Sequence, residues 1–495
     1  MAGLEQHGDG GHRRRVVLFS LPFHGHLNPM LKLAALLHAR GLGVTVLHTC
    51  FNAPDPARHP ELAFVPIHET LPDEATSPDS DILRKLLALN AACEAAFRAA
   101  LASLLRGGRR DVACAVVDGQ CYAAMGAAGE LGVPALALRT DSAAAFRNML
   151  AGPQLRDAGY VPIKGKQAKS NLFFSPHWIL DLGVHEPAAN VPAEEQLDEP
   201  VPGLEPLRVR DLIRVDGRDT DEHCSFVASV AGAVRASVSG IVINTFEAIE
   251  AAELAKIQRE LSLPAFAVGP LHLLLGQPPP VEQSLHEPDR GCLAWLDARP
   301  PRSVLYVSLG SLARVDRGAF EEMAWGLAGS GVPFLWVVRP GSVAGGAAGA
   351  GAGAAADEAP PLPDGFEEEV RDRGKIVKWA PQREVLAHAA IGAFWTHCGW
   401  NSTLESICEG VPMLVQPCFA DQMVTARYVT HEWGVGLEVG EEVVERGMVA
   451  KAVREAMAGG GGARMRERAH RLQMQASAAA TSSAMDGLVR FILSL

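Results

Sequence analysis

The stretch Trp379–Gln422 reads WAPQREVLAHAAIGAFWTHCGWNSTLESICEGVPMLVQPCFADQ. Ala393–Thr396 and Pro412–Gln416 have the length and continuous apolar character of strands buried on both faces. Between them, Thr396-His397-Cys398-Gly399 is a glycine-containing turn that leads from a strand into a helix. That helix is expected to begin near Asn401-Ser402-Thr403 and to carry Leu404, Ile407 and Cys408 on its inner side. Its first N–H groups have no partner within the helix, and its dipole is positive at that end, so it is an anion site suited to a diphosphate. His397, Asn401 and Ser402 can add side-chain donors. Trp379 closes a strand expected over Ile376–Trp379 and offers a flat face to a nucleobase. Glu405 has two readings. Ser402-Thr403-Leu404-Glu405 matches an S-x-x-E capping box, in which the carboxylate serves only the helix. Alternatively, the carboxylate accepts from two adjacent ribose hydroxyls.

The same alternation extends upstream. Val304–Ser308 reads as a strand followed by Leu309-Gly310-Ser311, Phe320–Ser330 as a helix and Pro333–Val338 as a strand. A separate series occupies the N-terminal half. Val16–Phe19 and Gly43–His48 are strands flanking a helix over Pro29–Arg40, and Asp81–Arg106 is a long amphipathic helix. Ala113–Val117, Ala135–Leu138, Ser239–Asn244 and Ala265–Val268 are further strands. The Pro-rich run Gly276–Pro280 separates the two series. Two α/β domains, each a doubly wound parallel sheet, are therefore expected, with ligands at the carboxyl ends of the strands. The expected boundaries are 1–268 for the first domain, 269–289 for the linker and 290–476 for the second domain. A last helix over 477–495 is expected to cross back to the first. Asp118 follows one strand, and His26 lies just after the first, so both should face one cleft.

Composition excludes several other classes. The 495 residues are 48 % hydrophobic and 21 % charged, which is globular rather than disordered. Lys and Arg number 45 against 57 Asp and Glu, a net charge of −12, so no large basic surface for nucleic acid is expected. The nine cysteines form no C-x-x-C pair, which favours free thiols of a cytosolic protein over a disulfide or zinc scaffold. The N-terminal apolar run is followed by His24-Gly25-His26 rather than a cleavage site, and no run of apolar residues is long enough to span a membrane. No strand is followed by G-x-G-x-x-G, which argues against a nicotinamide-dependent oxidoreductase.

The W-x-P-Q, H-C-G-W-N-S-x-x-E and D-Q elements of Trp379–Gln422, at their mutual spacing, resemble the donor-binding signature of plant family 1 UDP-glycosyltransferases. The resemblance runs from Phe19 to the C-terminus. Pro22-Phe23-His24-Gly25-His26-Leu27-Asn28-Pro29 and Phe334-Leu335-Trp336-Val337-Val338-Arg339-Pro340-Gly341 are similar to the subgroup of steviol and benzoxazinoid glucosyltransferases. It implies the GT-B architecture, two facing Rossmann-like domains with a cleft between them. It also implies that the first domain binds the acceptor and the second UDP-glucose. By that resemblance Trp379 stacks on uracil, the Ala380 backbone bonds its edge, and Gln382 and Glu405 hold the ribose. His397, Asn401, Ser402, Gly310 and Ser311 hold the diphosphate. Trp400 (through its backbone), Asp421, Gln422 and Thr140 face the sugar, with Gln422 suiting glucose.

The resemblance also implies that His26 is the general base and Asp118 its partner. A neutral imidazole suits this task, since an acceptor hydroxyl must lose its proton as it attacks. The hydroxyl displaces UDP in line from C1, giving a β-glucoside. No cofactor or metal is implied. Asp79-Ser80-Asp81 has D-x-D spacing but precedes a helix and reads as a cap. Phe23, His24, Gln120, Phe146, Met149 and Ala420 are the candidate acceptor-lining residues, by position. Residues 164–194 depart from the family pattern as an insertion, readable as a lid, a mobile loop or translated intron. Gly341–Ala356 reads as a flexible loop. A monomer without nucleic-acid partners is expected. The rival expectation is a non-catalytic UDP-sugar-binding protein, inactivated by the insertion.

Overall fold

A computed structural model describes residues 14–77, 80–108, 111–161, 196–213, 221–275, 287–344, 359–440, 444–480 and 483–495. The 164–194 insertion, Asp79, the Pro-rich run 276–280 and most of the glycine- and alanine-rich loop lie outside these residues.

The first sheet contains β1 (Arg15–Phe19), β2 (Gly43–His48), β3 (Ala63–Pro66), β4 (Val112–Asp118), β5 (Ala135–Arg139), β6 (Val238–Ile243) and β7 (Ala265–Ala267), in the order β3-β2-β1-β4-β5-β6-β7. The second contains β8 (Val304–Ser308), β9 (Phe334–Val337), β10 (Gly374–Val377), β11 (Ile391–Thr396), β12 (Met413–Val415) and β13 (Gly436–Glu438), in the order β10-β9-β8-β11-β12-β13. Every neighbouring pair in both sheets is parallel. The central strands are buried along their whole length, as a sheet covered by helices on both faces requires. Each strand order reverses once, between β1 and β4 in the first sheet and between β8 and β11 in the second. A crevice opens at each such switch point, outside the carboxyl ends of the strands.

Helix α1 (His24–Ala39) begins five residues before the expected Pro29, with extended Phe23 as its cap. Pro29 therefore lies inside the helix. Its missing N–H is the one that would have bonded the carbonyl of Gly25, four residues back. Helix α2 (Ile82–Arg106) is capped by Asp81, whose carboxylate accepts from the Arg84 N–H at 2.8 Å. By length and composition α2 is the one helix among the described residues that is apolar enough to cross a membrane. Its Leu83, Leu86, Leu89, Cys93, Phe97 and Leu101 instead form one stripe in the N-terminal core. Helices α3 (Ala143–Leu150), α4 (Asp221–Ser237) and α5 (Glu247–Leu261) contribute to the same core. In the second domain, α6 (Trp400–Cys408) follows β11 directly.

Strand β10 stops at Val377, so Trp379 sits in the turn beyond it rather than inside a strand. The chain must turn there, because Pro381 cannot donate to a ladder. The element that returns to the N-terminal sheet is α7 (Ala484–Ser494), shorter than the expected helix from 477. Its Met485, Leu488 and Ile492 complete the core beneath β1, β2 and β4.

Candidate active site

The two crevices meet in one cavity of about 530 Å³, lined from both domains. On the N-terminal side, His26 occupies the first turn of α1 after β1, and Asp118 ends β4. The His26 Nδ1–Asp118 Oδ2 distance is 2.8 Å; the carboxylate is 1 % exposed and the imidazole 20 %. Asp118 Oδ1 accepts from the Gln120 N–H at 3.0 Å, and the Ser20 hydroxyl approaches Oδ2 at 3.5 Å. Thr140 Oγ1 lies 3.1 Å from His26 Nδ1. Burial alone would depress the imidazole, but the charge and hydrogen bond of Asp118 outweigh it and hold His26 above its ordinary value. Burial would likewise raise Asp118, but the His26 partner and the Gln120 N–H hold it below the usual carboxylate range. The ionised carboxylate accepts a hydrogen bond from Nδ1–H, which fixes that tautomer and leaves Nε2 as the basic nitrogen.

On the C-terminal side, Gly399 caps α6, so the N–H groups of Trp400, Asn401 and Ser402 have no partner within the helix. Ser402 is the third helical residue, which places Glu405 one turn too deep for the expected capping box. The start is drawn upstream by Trp400, whose Nε1 donates to the Asn244 carbonyl at 2.8 Å. Glu405 instead accepts from Gln382 Nε2 at 2.8 Å, and the same amide donates to the Ser402 hydroxyl at 2.9 Å. All three line the cavity, next to Trp379 and Ala380.

The His397 ring is wedged between two glycines. A Cβ on Gly310, where φ is +75°, would sit 2.5 Å from the ring, and one on Gly399 would sit 2.4 Å from Nε2. Burial, reinforced by Arg339, pushes His397 down to about 4, so it is neutral at physiological pH. Its Nδ1 makes no hydrogen bond within the described residues. Gln422 spends its carbonyl on the N–H groups of Cys418 (2.8 Å) and Phe419 (3.2 Å), which leaves Nε2 for the cavity. Asp421 is raised to about 7 by burial and then by Asp141.

Of the candidate acceptor residues, Phe23, His24, Gln120, Met149 and Ala420 line the cavity. Phe146 does not, and that expectation is corrected. It is fully buried under the Arg139 guanidinium, 4.4 Å from its ring centroid, and Arg139 pairs with Asp141. The ion pair lies between Phe146 and the open space, and Asp141 forms the wall instead. The apolar end of the cavity also takes Ile82 and Leu86 from α2, Ile213, and His223 and Phe226 from α4. None of these was singled out from sequence, because an apolar residue facing a cavity has the same helical spacing as one facing the core. Among the described residues, no group of three or more His, Cys, Asp or Glu side chains is placed to hold a metal ion.

The halves are joined directly across the cleft. Asn401 Nδ2 donates to the Gly25 carbonyl at 2.9 Å, the same carbonyl that Pro29 leaves unpaired within α1.

Comparison with known proteins gives this geometry a context. The DIMBOA UDP-glucosyltransferase BX8 of Zea mays is 43 % identical over 493 residues, which covers 97 % of this chain and 97 % of that protein. The chain belongs to the UDP-glycosyltransferase family. The family model described as UDP-glucoronosyl and UDP-glucosyl transferase matches residues 283–460, the region that contains α6 and the donor side of the cavity. A second transferase with the DIMBOA name, BX9 of Zea mays, is 45 % identical, covering 90 % of this chain and 87 % of its own length. Among solved transferases, Phytolacca americana UGT2, complexed with UDP-2fluoro-glucose and pterostilbene, superposes with a TM-score of 0.74. It is 26 % identical and covers 98 % of this chain and 99 % of its own. The two parallel sheets meeting at their switch points are the GT-B architecture of these enzymes.

Proposed function

We propose that this UDP-glycosyltransferase moves glucose from UDP-glucose to a hydroxyl of a small hydrophobic plant metabolite, with inversion at C1. The carrying observation is the His26–Asp118 pair facing the N-terminus of α6 across one cavity. UDP lies along the second sheet. Trp379 stacks on uracil, the Ala380 backbone meets its edge, and Gln382 and Glu405 take the ribose hydroxyls. The diphosphate lies at the N-terminus of α6 against His397, Asn401, Ser402 and the Gly310-Ser311 turn. Trp400 (through its backbone), Thr140, Asp421 and Gln422 surround the sugar. His26 Nε2 accepts the acceptor's proton as its oxygen bonds C1. The bond from C1 to the diphosphate oxygen breaks, and its electron pair leaves with UDP. Asp118 stabilises the resulting imidazolium, and the helix N-terminus stabilises the departing charge.

The apolar end made by Phe23, Ile82, Leu86, Met149 and Phe226 suits an aromatic or terpenoid skeleton. The names of BX8 and BX9 make benzoxazinoids the first acceptors to try. Both halves of the cavity come from one chain, so a monomer suffices, and we place it in the cytosol, working without a metal. The non-catalytic alternative is not favoured, because base, partner and donor side are all assembled.

The test is incubation of the full chain with UDP-glucose and a panel of hydroxylated aglycones that includes benzoxazinoids. The expected result is a β-glucoside, identified by mass and anomeric coupling and lost in His26→Ala. No glucoside from any acceptor, with UDP-glucose binding intact, would refute the reading. A variant lacking residues 164–194, run in parallel, reports what that insertion does.

A further inference from the structure

Arg339 follows β9 and is buried at 9 % exposure, yet it is not part of the cavity wall. Its hydrogen bonds go to backbone carbonyls: Nε donates to Gly310 at 3.1 Å, Nη1 to Pro340 at 3.3 Å, and Nη2 to Ala313. No carboxylate is among these partners. The charged group that influences it most is another cation, Arg314. Burial and Arg314 lower Arg339 only to about 10, so the guanidinium stays charged at neutral pH. A buried cation that meets only carbonyls among the described residues is costly, and its position is informative.

Two of the three carbonyls that Arg339 holds, those of Gly310 and Ala313, belong to the turn Gly310–Ala313, which lines the donor side of the cavity. In a trans peptide the C=O and N–H point in opposite directions. With the Gly310 carbonyl fixed toward Arg339, the Ser311 N–H of the same peptide is directed away from it. The opposite side of this turn is the cavity, beside His397 and the N-terminus of α6. The cation thus lies behind a peptide dipole whose positive end faces the donor, and it acts in the same direction as the α6 dipole.

We propose that Arg339 is a positioning residue of the donor site. It fixes the Gly310–Ala313 turn from behind, and its buried charge is balanced by the diphosphate of the bound nucleotide. Arg339 does not touch the donor; it acts through the Ser311 peptide and through its field. This rests on the donor-site reading given above, and it assigns a diphosphate-selective role to a residue outside the binding signature.

The test compares binding of UDP with binding of uridine, which shares the base and ribose but lacks the diphosphate. Calorimetric titrations would be run on wild type, Arg339→Gln and Arg339→Lys. The expected result for Arg339→Gln is UDP binding weakened about 10–100-fold with uridine binding changed less than about twofold, and a steeper loss of kcat than of apparent acceptor affinity. Arg339→Lys keeps the charge but cannot span the Gly310 and Ala313 carbonyls together, and should restore most of the UDP preference. Equal weakening of UDP and uridine would overturn the proposal and leave Arg339 a scaffold residue. Unchanged UDP binding in Arg339→Gln would also overturn it. If Arg339→Gln does not fold, Arg339→Lys decides: a UDP preference over uridine that falls more than about tenfold in this variant, which keeps the charge, refutes the charge role. Failure of the wild type to bind UDP at all would instead refute the underlying donor-site reading.

Discussion

Replacing Asp118 by Asn should damage the enzyme more than replacing it by Ala, although Asn is the closer isostere. Asp118 Oδ1 accepts from the Gln120 N–H at 3.0 Å, so the carbonyl oxygen of an Asn amide must take that position. The amide NH2 then occupies the place of Oδ2, 2.8 Å from His26 Nδ1, and donates to it. Nδ1 becomes the acceptor, the ring proton moves to Nε2, and the base is blocked. Flipping the amide would set two donors against each other at Gln120, a buried unsatisfied donor costing about 1–3 kcal/mol. Loss of the carboxylate also removes the stabilisation of the imidazolium. Together these predict a fall in kcat/KM of about 10³-fold, within the range of general-base contributions. In Asp118→Ala the tautomer is not dictated, and Thr140 Oγ1, 3.1 Å from Nδ1, can still accept from it. That variant should keep about tenfold more activity than Asn.

The pH profile supplies a second sign. In the wild type Asp118 holds His26 above 6.5, so the acid limb of kcat/KM should lie above that pH. In either variant burial, the largest influence, is opposed only by the weaker fields of Asp141 and Asp421, and the limb should move to lower pH. The assay is initial-rate glucoside formation from pH 5 to 9. Asn equal to or better than Ala, or a limb that moves upward, would refute the assigned roles of His26 and Asp118.

Three further outcomes follow from the same geometry. Pro29→Ala restores an N–H that can reclaim the Gly25 carbonyl from Asn401; kcat/KM should fall about 3–10-fold, one hydrogen bond's worth, while the melting temperature holds or rises as a helix-interior proline is removed. A lower melting temperature with unchanged kcat/KM would show that Pro29 serves packing alone. Asp421 is raised to about 7 in the folded chain, so folding retains a proton that the unfolded chain releases near 4, and wild-type stability is lost as pH rises through that window. Asp421→Asn should therefore match the wild type in melting temperature near pH 4 and exceed it by a few degrees above pH 7, as followed by scanning calorimetry. Glu405→Ala should narrow the preference for UDP over its 2′-deoxy analogue to within about twofold in competition binding, since Glu405 and Gln382 form one hydrogen-bonded pair that we propose holds the ribose.

What the sequence made legible was local. Val304–Ser308 and Ile391–Thr396 are nearly continuous apolar runs, and burial on both faces follows from that alone. His26, Asp118 and the Trp379–Gln422 stretch sit at the exits of such strands, where the topology places ligands, but their roles were legible only through the resemblance of their motifs to the family. The edge strands Ala63–Pro66 and Gly436–Glu438 were missed because so few residues carry no readable period. Phe146 was assigned to the wall because nothing in its neighbourhood reveals that Arg139, from another element, lies over its ring.

Pro29 shows why such gaps gather at the site. Read locally, a proline ahead of an apolar helix belongs at its first position, where its missing N–H costs nothing. In the fold it sits a turn and more inside, and the missing N–H frees the Gly25 carbonyl that Asn401 reaches from the other domain. The local rule is broken where a bond between helices of the two domains, made by residues 376 positions apart, offsets the cost. Arg339 follows the same logic, since a buried charge with no carboxylate partner among the described residues is unfavourable within its own strand exit and becomes intelligible beside the diphosphate proposed above. Residues whose conformation or charge is poor for the isolated element are therefore the ones to examine first for roles at this cleft.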